Sequence, residues 1–311
     1  MAKPRNKLID LIQYFFIRLF AAGLQIFPPE DNYRATRFLA RLVWRLDRYH
    51  RRIACGHLRL SFPDWPEERV QHVARESFCS LAYLGIEMLL TPRLITPARW
   101  PRHIRFHNLG GILREMIRND SGLILVSGHF GNWEVVGYTM ATLGFPTVSV
   151  ARALDNPYAD EFILGVRERT GQHILGKKGA TPGMSDVLER GEVLGFMADQ
   201  DAGQRGLYVD FFGRPASTFK SIALLAERFG VPVVVGYGRR LSLKYEFELG
   251  VQRVIRPAEW AGRPDPTRWI TQEFTAALEA LARQWPEQYM WVHRRWKHRP
   301  DKTKAGGIGV A

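Results

Sequence analysis

The first long apolar run, Leu8 to Phe27, reads LIDLIQYFFIRLFAAGLQIF, and its only clearly polar positions are Asp10, Gln13, Arg18 and Gln25. Twenty residues of α-helix rise about 30 Å, enough to cross a hydrocarbon core. At about 100° per residue the four polar side chains fall within an arc of roughly 140°, which equally fits a helix lying in the interface with its apolar face down. The pattern leaves both geometries open. No A-x-A-like cleavage site follows, and the run ends at Phe27-Pro28-Pro29, so the segment is expected to persist as an anchor rather than to be removed as a signal peptide.

Between Asp31 and Ile53, Arg34, Arg37, Arg41, Arg45, Arg48, Arg51 and Arg52 recur mostly at steps of three and four. Ala35, Phe38, Leu39, Leu42, Val43, Leu46, Tyr49 and Ile53 fall largely on the other side, which predicts one basic amphipathic helix. Placed directly behind an apolar helix, the stripe suits anionic headgroups, at about 1 kcal/mol per arginine near the surface. A spanning first helix would put this flank, and with it most of the chain, on the cytoplasmic side of the membrane.

A helical pattern follows from Glu67 to Leu90, then a connection punctuated by Pro92, Pro97 and Pro101. Strand-type runs occur at Leu123 to Ser127, Thr147 to Val150, Gln172 to Leu175, Val193 to Ala198 and Val231 to Tyr237. Helical stretches separate them near Trp133 to Leu143, Asn156 to Thr170, Thr181 to Arg190 and Ser217 to Phe229. Such alternation predicts an α/β fold with a central, mostly parallel sheet flanked by helices. The expected organisation is a membrane anchor and basic helix over residues 1–60, a catalytic domain over 61–300 and a loose tail over 301–311.

Composition narrows the classes. With 46% hydrophobic and 12% aromatic residues in 311, disordered, collagenous and low-complexity readings are excluded. Two cysteines, Cys55 and Cys79, build neither a disulfide framework nor a structural zinc site. The net charge of +13 calls for an anionic partner. The apolar first segment, and the lack of any zinc-finger, basic-zipper or single-strand signature, argue against nucleic acid.

Chemistry concentrates where the first strand-type run ends, at Ser127-Gly128-His129-Phe130-Gly131-Asn132-Trp133-Glu134. Two glycines permit a tight turn, Asn132 is a good helix cap, and reactive groups collect at the carboxyl ends of parallel strands. His129 sits there. Glu134, in the first helical turn, is expected to stay ionised and to accept from one ring nitrogen, leaving the other as a base. A packed histidine beside a capped helix is the plainer alternative. The serine elbow fails because Leu125 stands where the first glycine belongs, and H-E-x-x-H is absent. The run Gly171 to Lys178 nearly matches a phosphate loop, but Lys178 replaces the required hydroxyl residue. Without a protein nucleophile beside it, His129 is suited to activating a substrate hydroxyl directly.

His129-Phe-Gly-Asn-Trp-Glu134 resembles the H-x4-D/E motif of lysophospholipid acyltransferases. The chain is similar in particular to the late acyltransferases of lipid A biosynthesis, on four further blocks: Arg152 to Pro157, Ala198 to Gly203, Val209 to Ala216 and Gln288 to Pro300. The resemblance implies a glycerol-3-phosphate acyltransferase-like fold, and transfer of a fatty acyl chain from an acyl carrier protein thioester to a lipid A precursor. His129 would be the base and Glu134 its orienting partner. Arg152, Asn156, Asp199, Gln200, Arg294 and Arg295 would contact donor or acceptor. The thioester arrives activated, so neither metal nor other cofactor is required. The Asp199-Gln200-Asp201 run stands where many glycerolipid enzymes carry Pro-Glu-Gly, which favours a glycolipid acceptor. The partners implied are the carrier-protein thioester, an anionic glycolipid or phospholipid acceptor and a membrane. An acyltransferase of the same fold acting on another acceptor, such as a glycerolipid, an aminolipid or a glycolipid, or a non-catalytic basic membrane-surface protein, are the alternatives. The expected location is the cytoplasmic face of a bacterial inner membrane.

Overall fold

The structure is a computed structural model describing residues 6–118, 122–145, 147–176 and 180–300. The tail expected over 301–311, and the lysines of the phosphate-loop-like run, lie outside the described residues.

Helix α1 covers Lys7–Ile26 and α2 covers Pro29–Leu46. The basic run predicted as one helix is two. Asp47 leaves the helical region, and its side chain accepts from the His50 amide, capping a new helix, α3 (Arg48–Ser61). After α4 (Glu67–Leu94) come β1 (Ile104–His107) and α5 (Gly110–Arg118). The predicted alternation then appears as β2 (Leu123–Ser127), α6 (Trp133–Thr142), β3 (Thr147–Ala151), α7 (Pro157–Glu168), β4 (His173–Gly176), α8 (Ala180–Glu189) and β5 (Val193–Met197). A hairpin of β6 (Leu207–Asp210) and β7 (Pro215–Thr218) precedes α9 (Ser221–Phe229). The sheet is completed by β8 (Val233–Ser242) and β9 (Glu246–Ile255), and the described chain continues through α10 (Pro257–Trp260) and α11 (Pro266–Gln284).

Seven strands form one sheet in the order β1-β9-β8-β2-β5-β3-β4. β8, β2, β5, β3 and β4 run parallel, while β9 turns back against β8 and carries β1 beside it. Alternate residues of a strand face opposite sides. Ile124 and Val126 of β2 join the apolar layer of Ile222, Ala226, Phe274 and Leu278 from α9 and α11. Leu123 and Leu125 face Val135 and Val136 of α6, in the layer that also takes Tyr83 and Leu90 of α4. Both faces of the parallel strands are covered, so these strands read as continuous apolar runs and were visible in the sequence.

Helix α1 lies on this body by its polar arc. Asn156 Nδ2 donates to Asp10 O at 2.8 Å and to Gln13 Oε1 at 3.2 Å, Arg18 lies over Phe162 at 5.0 Å, and Gln25 Nε2 donates to Leu89 O at 3.0 Å. The outward face is apolar and exposed: Leu8, Leu11, Ile12, Phe15, Phe16, Leu19 and Phe20. Phe38, Leu39, Leu42, Val43 and Leu46 of α2 are exposed as well. Among the described residues α1 is the one helix long and apolar enough to cross a membrane.

Asn156, expected at the substrate, is instead buried between α1 and α7, and its Oδ1 caps α7 by accepting from Tyr158 and Ala159 amides. Both ends of its amide are spent on protein groups. Asn156→Ala is expected to cost about 1–2 kcal/mol, as loss of a cap plus one buried hydrogen bond. Asn156→Asp, which keeps the cap, is expected to cost less in global stability while still speeding hydrogen exchange of α1 amides, both read by hydrogen-exchange mass spectrometry with urea unfolding.

Candidate active site

The carboxyl ends of β2 and β5 meet in a turn and a loop. After Ser127 the chain makes the turn Gly128 to Asn132, and three of its backbone groups go to two other segments, the chain at 288–290 and β8. His129 O accepts from Met290 N at 3.0 Å, Gly131 N donates to Gln288 O at 2.9 Å, and Asn132 N donates to Gly238 O at 2.7 Å. Gly131 has φ of 55°, and any Cβ there would overlap Gly238 O. Only glycine fits that close crossing with β8. Asn132 accepts from Val135 N at 2.9 Å through Oδ1 and so starts α6.

The turn presents the His129 imidazole to Asp199, at the end of β5. Nδ1 lies 2.7 Å from Asp199 Oδ1, and His129 N donates to Oδ2 at 2.8 Å. The carboxylate thus grips ring and backbone together. Burial pushes the Asp199 carboxyl up, but the facing His129 charge, its two hydrogen bonds and nearby Arg295 outweigh that and hold it below its ordinary value. A depressed carboxylate contributes stability above its unfolded value near about 4, and the contribution disappears as pH falls through the folded value. With Nδ1 facing a carboxylate, Nε2 keeps its lone pair, which accepts from Gln200 Nε2 at 3.2 Å. The indole of Trp133 packs edge-on against the ring, with centroids 4.7 Å apart.

The expectation that Glu134 accepts from the imidazole is corrected. Its carboxylate makes a bidentate pair with Arg167 of α7, at 2.7 and 2.9 Å. A two-point pair with a guanidinium outcompetes a single bond to a ring, and the ring's acceptor comes from another strand. Burial lowers the Arg167 pKa, yet Glu134 more than restores it, so the value is raised. The sequence reading singled out neither Arg167 nor the Asp199 contact. Both are long-range pairs, separated from their partners by 33 and 70 residues.

Both His129 and the Glu134–Arg167 pair line a cavity of about 660 Å³, together with Gln200, Arg152 and the β2, β5, β3 and β4 face turned toward α6. Strand register stacks its walls in rows. Ser127, Met197 and Ala151 lie nearest the carboxyl ends. Leu125, Gly195, Ser149 and Ile174 form the next row, and Thr147 and Gln172 the deepest. From top to bottom this is about 13 Å, at about 3.3 Å per residue. Gln172 closes the bottom: a Cβ on Gly137 would lie 2.6 Å from its Nε2. Gln172 Oε1 and Thr147 Oγ1 are buried without hydrogen-bond partners among the described residues.

Arg152 stands at the cavity rim with its side chain 79% exposed, paired with Asp155 at 3.0 Å. Arg294 is exposed. Arg295, expected to offer charge to a headgroup, is instead buried. Its guanidinium donates to Gln200 O at 3.2 Å, to Ser217 O and to Thr218 Oγ1 at 2.5 Å. It braces the loop that carries Asp199 and Gln200. Asp201 is held alongside, its amide donating to His293 Nε2 at 3.0 Å.

Comparison with known proteins gives the site its context. A description of bacterial lipid A biosynthesis acyltransferases matches residues 2–298. The lipid A biosynthesis lauroyltransferase of Escherichia coli (strain K12) is 29% identical over 280 residues, covering 88% of each chain. The lipid A biosynthesis palmitoleoyltransferase of the same organism is 24% identical over 250 residues, covering 80% of this chain and 79% of its own. A lipid A biosynthesis acyltransferase of Haemophilus influenzae (strain ATCC 51907 / DSM 11121 / KW20 / Rd) is 26% identical over 257 residues. With nearly the whole chain matched, this protein belongs to the bacterial lipid A biosynthesis acyltransferase family and is an acyltransferase enzyme.

Proposed function

We propose that the enzyme moves a fatty acyl chain from an acyl carrier protein thioester to a hydroxyl of a lipid A precursor, with His129 as general base. The supporting observation is the imidazole itself, bound by Asp199 on one nitrogen and turned to the cavity lining on the other, where its lone pair is met by the Gln200 amide that an entering hydroxyl would displace. Asp199, rather than Glu134, is the orienting carboxylate: it fixes the tautomer and favours the imidazolium that forms when Nε2 takes the hydroxyl proton. Attack on the thioester carbonyl gives a tetrahedral oxyanion. The Gln200 amide, the polar group beside Nε2, is placed to donate to it or to the entering hydroxyl. Collapse expels the thiolate, which takes up the proton from His129.

Glu134 keeps the Arg167 cation inside the cavity wall, where it can hold an anionic group of the substrate, and Arg152 does the same at the rim. Arg294 adds exposed charge for an anionic headgroup. The apolar rows running down to Gln172 take the acyl chain. The +13 charge suits both an acidic carrier protein and an anionic membrane. Since the polar arc of α1 is occupied by α7 and α4, its apolar face and that of α2 are proposed to sit in one leaflet at the cytoplasmic face of the inner membrane.

Three outcomes test this reading, followed by mass spectrometry of a lipid A precursor incubated with carrier-protein thioesters. His129→Ala is expected to fold and to bind vesicles normally while kcat falls 10²- to 10⁴-fold, the range of general-base catalysis; acyl transfer at the wild-type rate overturns the assignment. Asp199→Asn is expected to lower kcat at least ~10²-fold with little change in KM, whereas Glu134→Gln should act more on KM. Equal kcat losses with unchanged KM in both would return the orienting role to Glu134. Gln172→Ala opens the floor and is expected to shift the products toward longer chains, each added methylene being worth about 1 kcal/mol in an apolar pocket. An unchanged chain distribution removes Gln172 from the floor of the acyl site.

A further inference from the structure

Directly beneath the catalytic turn lies a buried charge cluster for which the proposed chemistry has no use. Glu87, in the middle of α4, is completely inaccessible to solvent. Its Oε1 accepts from Tyr33 OH of α2 at 2.6 Å and from Arg240 Nε of β8. Its Oε2 accepts from Arg240 Nη2 at 2.8 Å and from Asn132 Nδ2 at 2.9 Å. Arg240 also donates from Nη1 to Ser80 Oγ at 3.0 Å. A carboxylate taken wholly out of water is tolerated only when its lone pairs are filled, and here four donors from three elements fill them. Burial opposes the Arg240 charge, but Glu87 more than compensates and the guanidinium pKa is raised.

One of those four donors is Asn132, three residues from His129. Asn132 is fully buried, and its side chain is divided: Oδ1 caps α6, while Nδ2 goes to Glu87. The guanidinium partner of Glu87 belongs to a residue clamped on the same turn. Arg240 N donates to Gln288 Oε1 at 2.9 Å, Arg240 O accepts from Gln288 Nε2 at 2.9 Å, and Gln288 O accepts from Gly131 N. The carboxylate is therefore the point where α2, α4, β8 and the His129 turn are tied together.

We propose that Glu87 is a positioning residue for the acyl transfer: through Asn132 it fixes where the His129 imidazole stands over the cavity, and through Tyr33 it makes the N-terminal helical layer part of that alignment. The proposal rests on His129 being the base. A displacement of about 1 Å at the reacting group costs on the order of 10²-fold in rate, so a donor lost at Asn132 is visible in kcat even when the fold survives.

Glu87→Gln alone leaves Arg240 buried without a counter-charge and can unfold the chain. Two other variants avoid that. Asn132→Ser keeps an oxygen to cap α6 but has no arm to reach Glu87. Asn132→Asp keeps the cap as well, but sets a carboxylate against Glu87 where the donor stood. Each full-length variant is checked for cooperative unfolding. Its kcat and KM are then measured with a dodecanoyl thioester of acyl carrier protein and a lipid A precursor. Asn132→Ser and Asn132→Asp are each expected to lose about 10- to 100-fold in kcat with KM nearly unchanged. Wild-type kcat in Asn132→Ser, or in an Asn132→Asp variant that folds, overturns the proposal. His129→Ala, run in parallel, separates the two levels: if it stays active, the base itself is misassigned, whatever the Asn132 variants do.

Discussion

A five-residue turn, Gly128 to Asn132, has to hold one imidazole in register with a carboxylate on another strand, and almost everything around the site follows from that demand. The turn cannot supply its own rigidity, since its one internal main-chain bond is Phe130 N to Gly128 O. Instead Asp199, Gly238, Gln288 and Met290 each take one of its polar groups, and those four residues come from three parts of the chain. Such a clamp explains the glycine at 131, where β8 backbone comes too close for any Cβ. It also explains the 3-10 turn Pro286–Gln288 being brought back under the sheet end, because Gln288 serves the turn with its carbonyl and β8 with its amide.

Two buried arginines brace the segments that meet at the imidazole. Arg240 reaches in from β8 and is neutralised by Glu87. Arg295 enters from the C-terminal segment and spends its donors mainly on carbonyl oxygens and Thr218, with Asp199 close enough to feel its charge. Burial lowers the Arg295 pKa, whereas the Glu87 pair raises that of Arg240. The difference has a physical meaning: the Arg295 charge has no dedicated carboxylate, so its field is available to keep Asp199 ionised against burial. An ionised Asp199 is what a histidine acting as base needs. The Arg240 charge is cancelled locally and acts as a rigid joint.

Much of the fold was legible because its signals are local. Parallel strands covered on both faces leave continuous apolar runs, and all five predicted strands are present within two residues at their starts. What was missed has weak or conflicting local signals. β1 at Ile104–His107 has one buried residue in four, and β7 was read as the start of the α9 helix. The break at Asp47 was hidden because arginines continue through it at helical spacing, and only the Asp47 cap marks the boundary. In the site, His129 and the turn around it could be found from glycines, a cap and a strand end. Its partner could not. A carboxylate five residues away on the next helix looked suitable by sequence distance, while the one that binds is 70 residues away and is brought there by the β2–β5 register. Asn156 and Arg295 were assigned outward roles through the family blocks they sit in, but burial decides such roles, and a single sequence carries no direct record of it.

The N-terminal helices connect this clamp to the surface the enzyme works on. The four polar residues of α1, which by periodicity fitted either a spanning or an interfacial helix, all turn toward the body of the protein, so the helix is held by polar contacts along its length and shows solvent an apolar face. A helix bound in that way cannot leave for the bilayer core without breaking those contacts, each buried hydrogen bond being worth about 1 kcal/mol. If the outward face enters lipid, the body must come with it. Asn156, which fastens α1, lies four residues beyond Arg152 on the cavity rim, and the exposed Leu154 stands between them. The same attachment that keeps the apolar face outward therefore places the cavity rim near it, which in the proposed reaction lets a lipid hydroxyl approach His129 without its acyl chains crossing water.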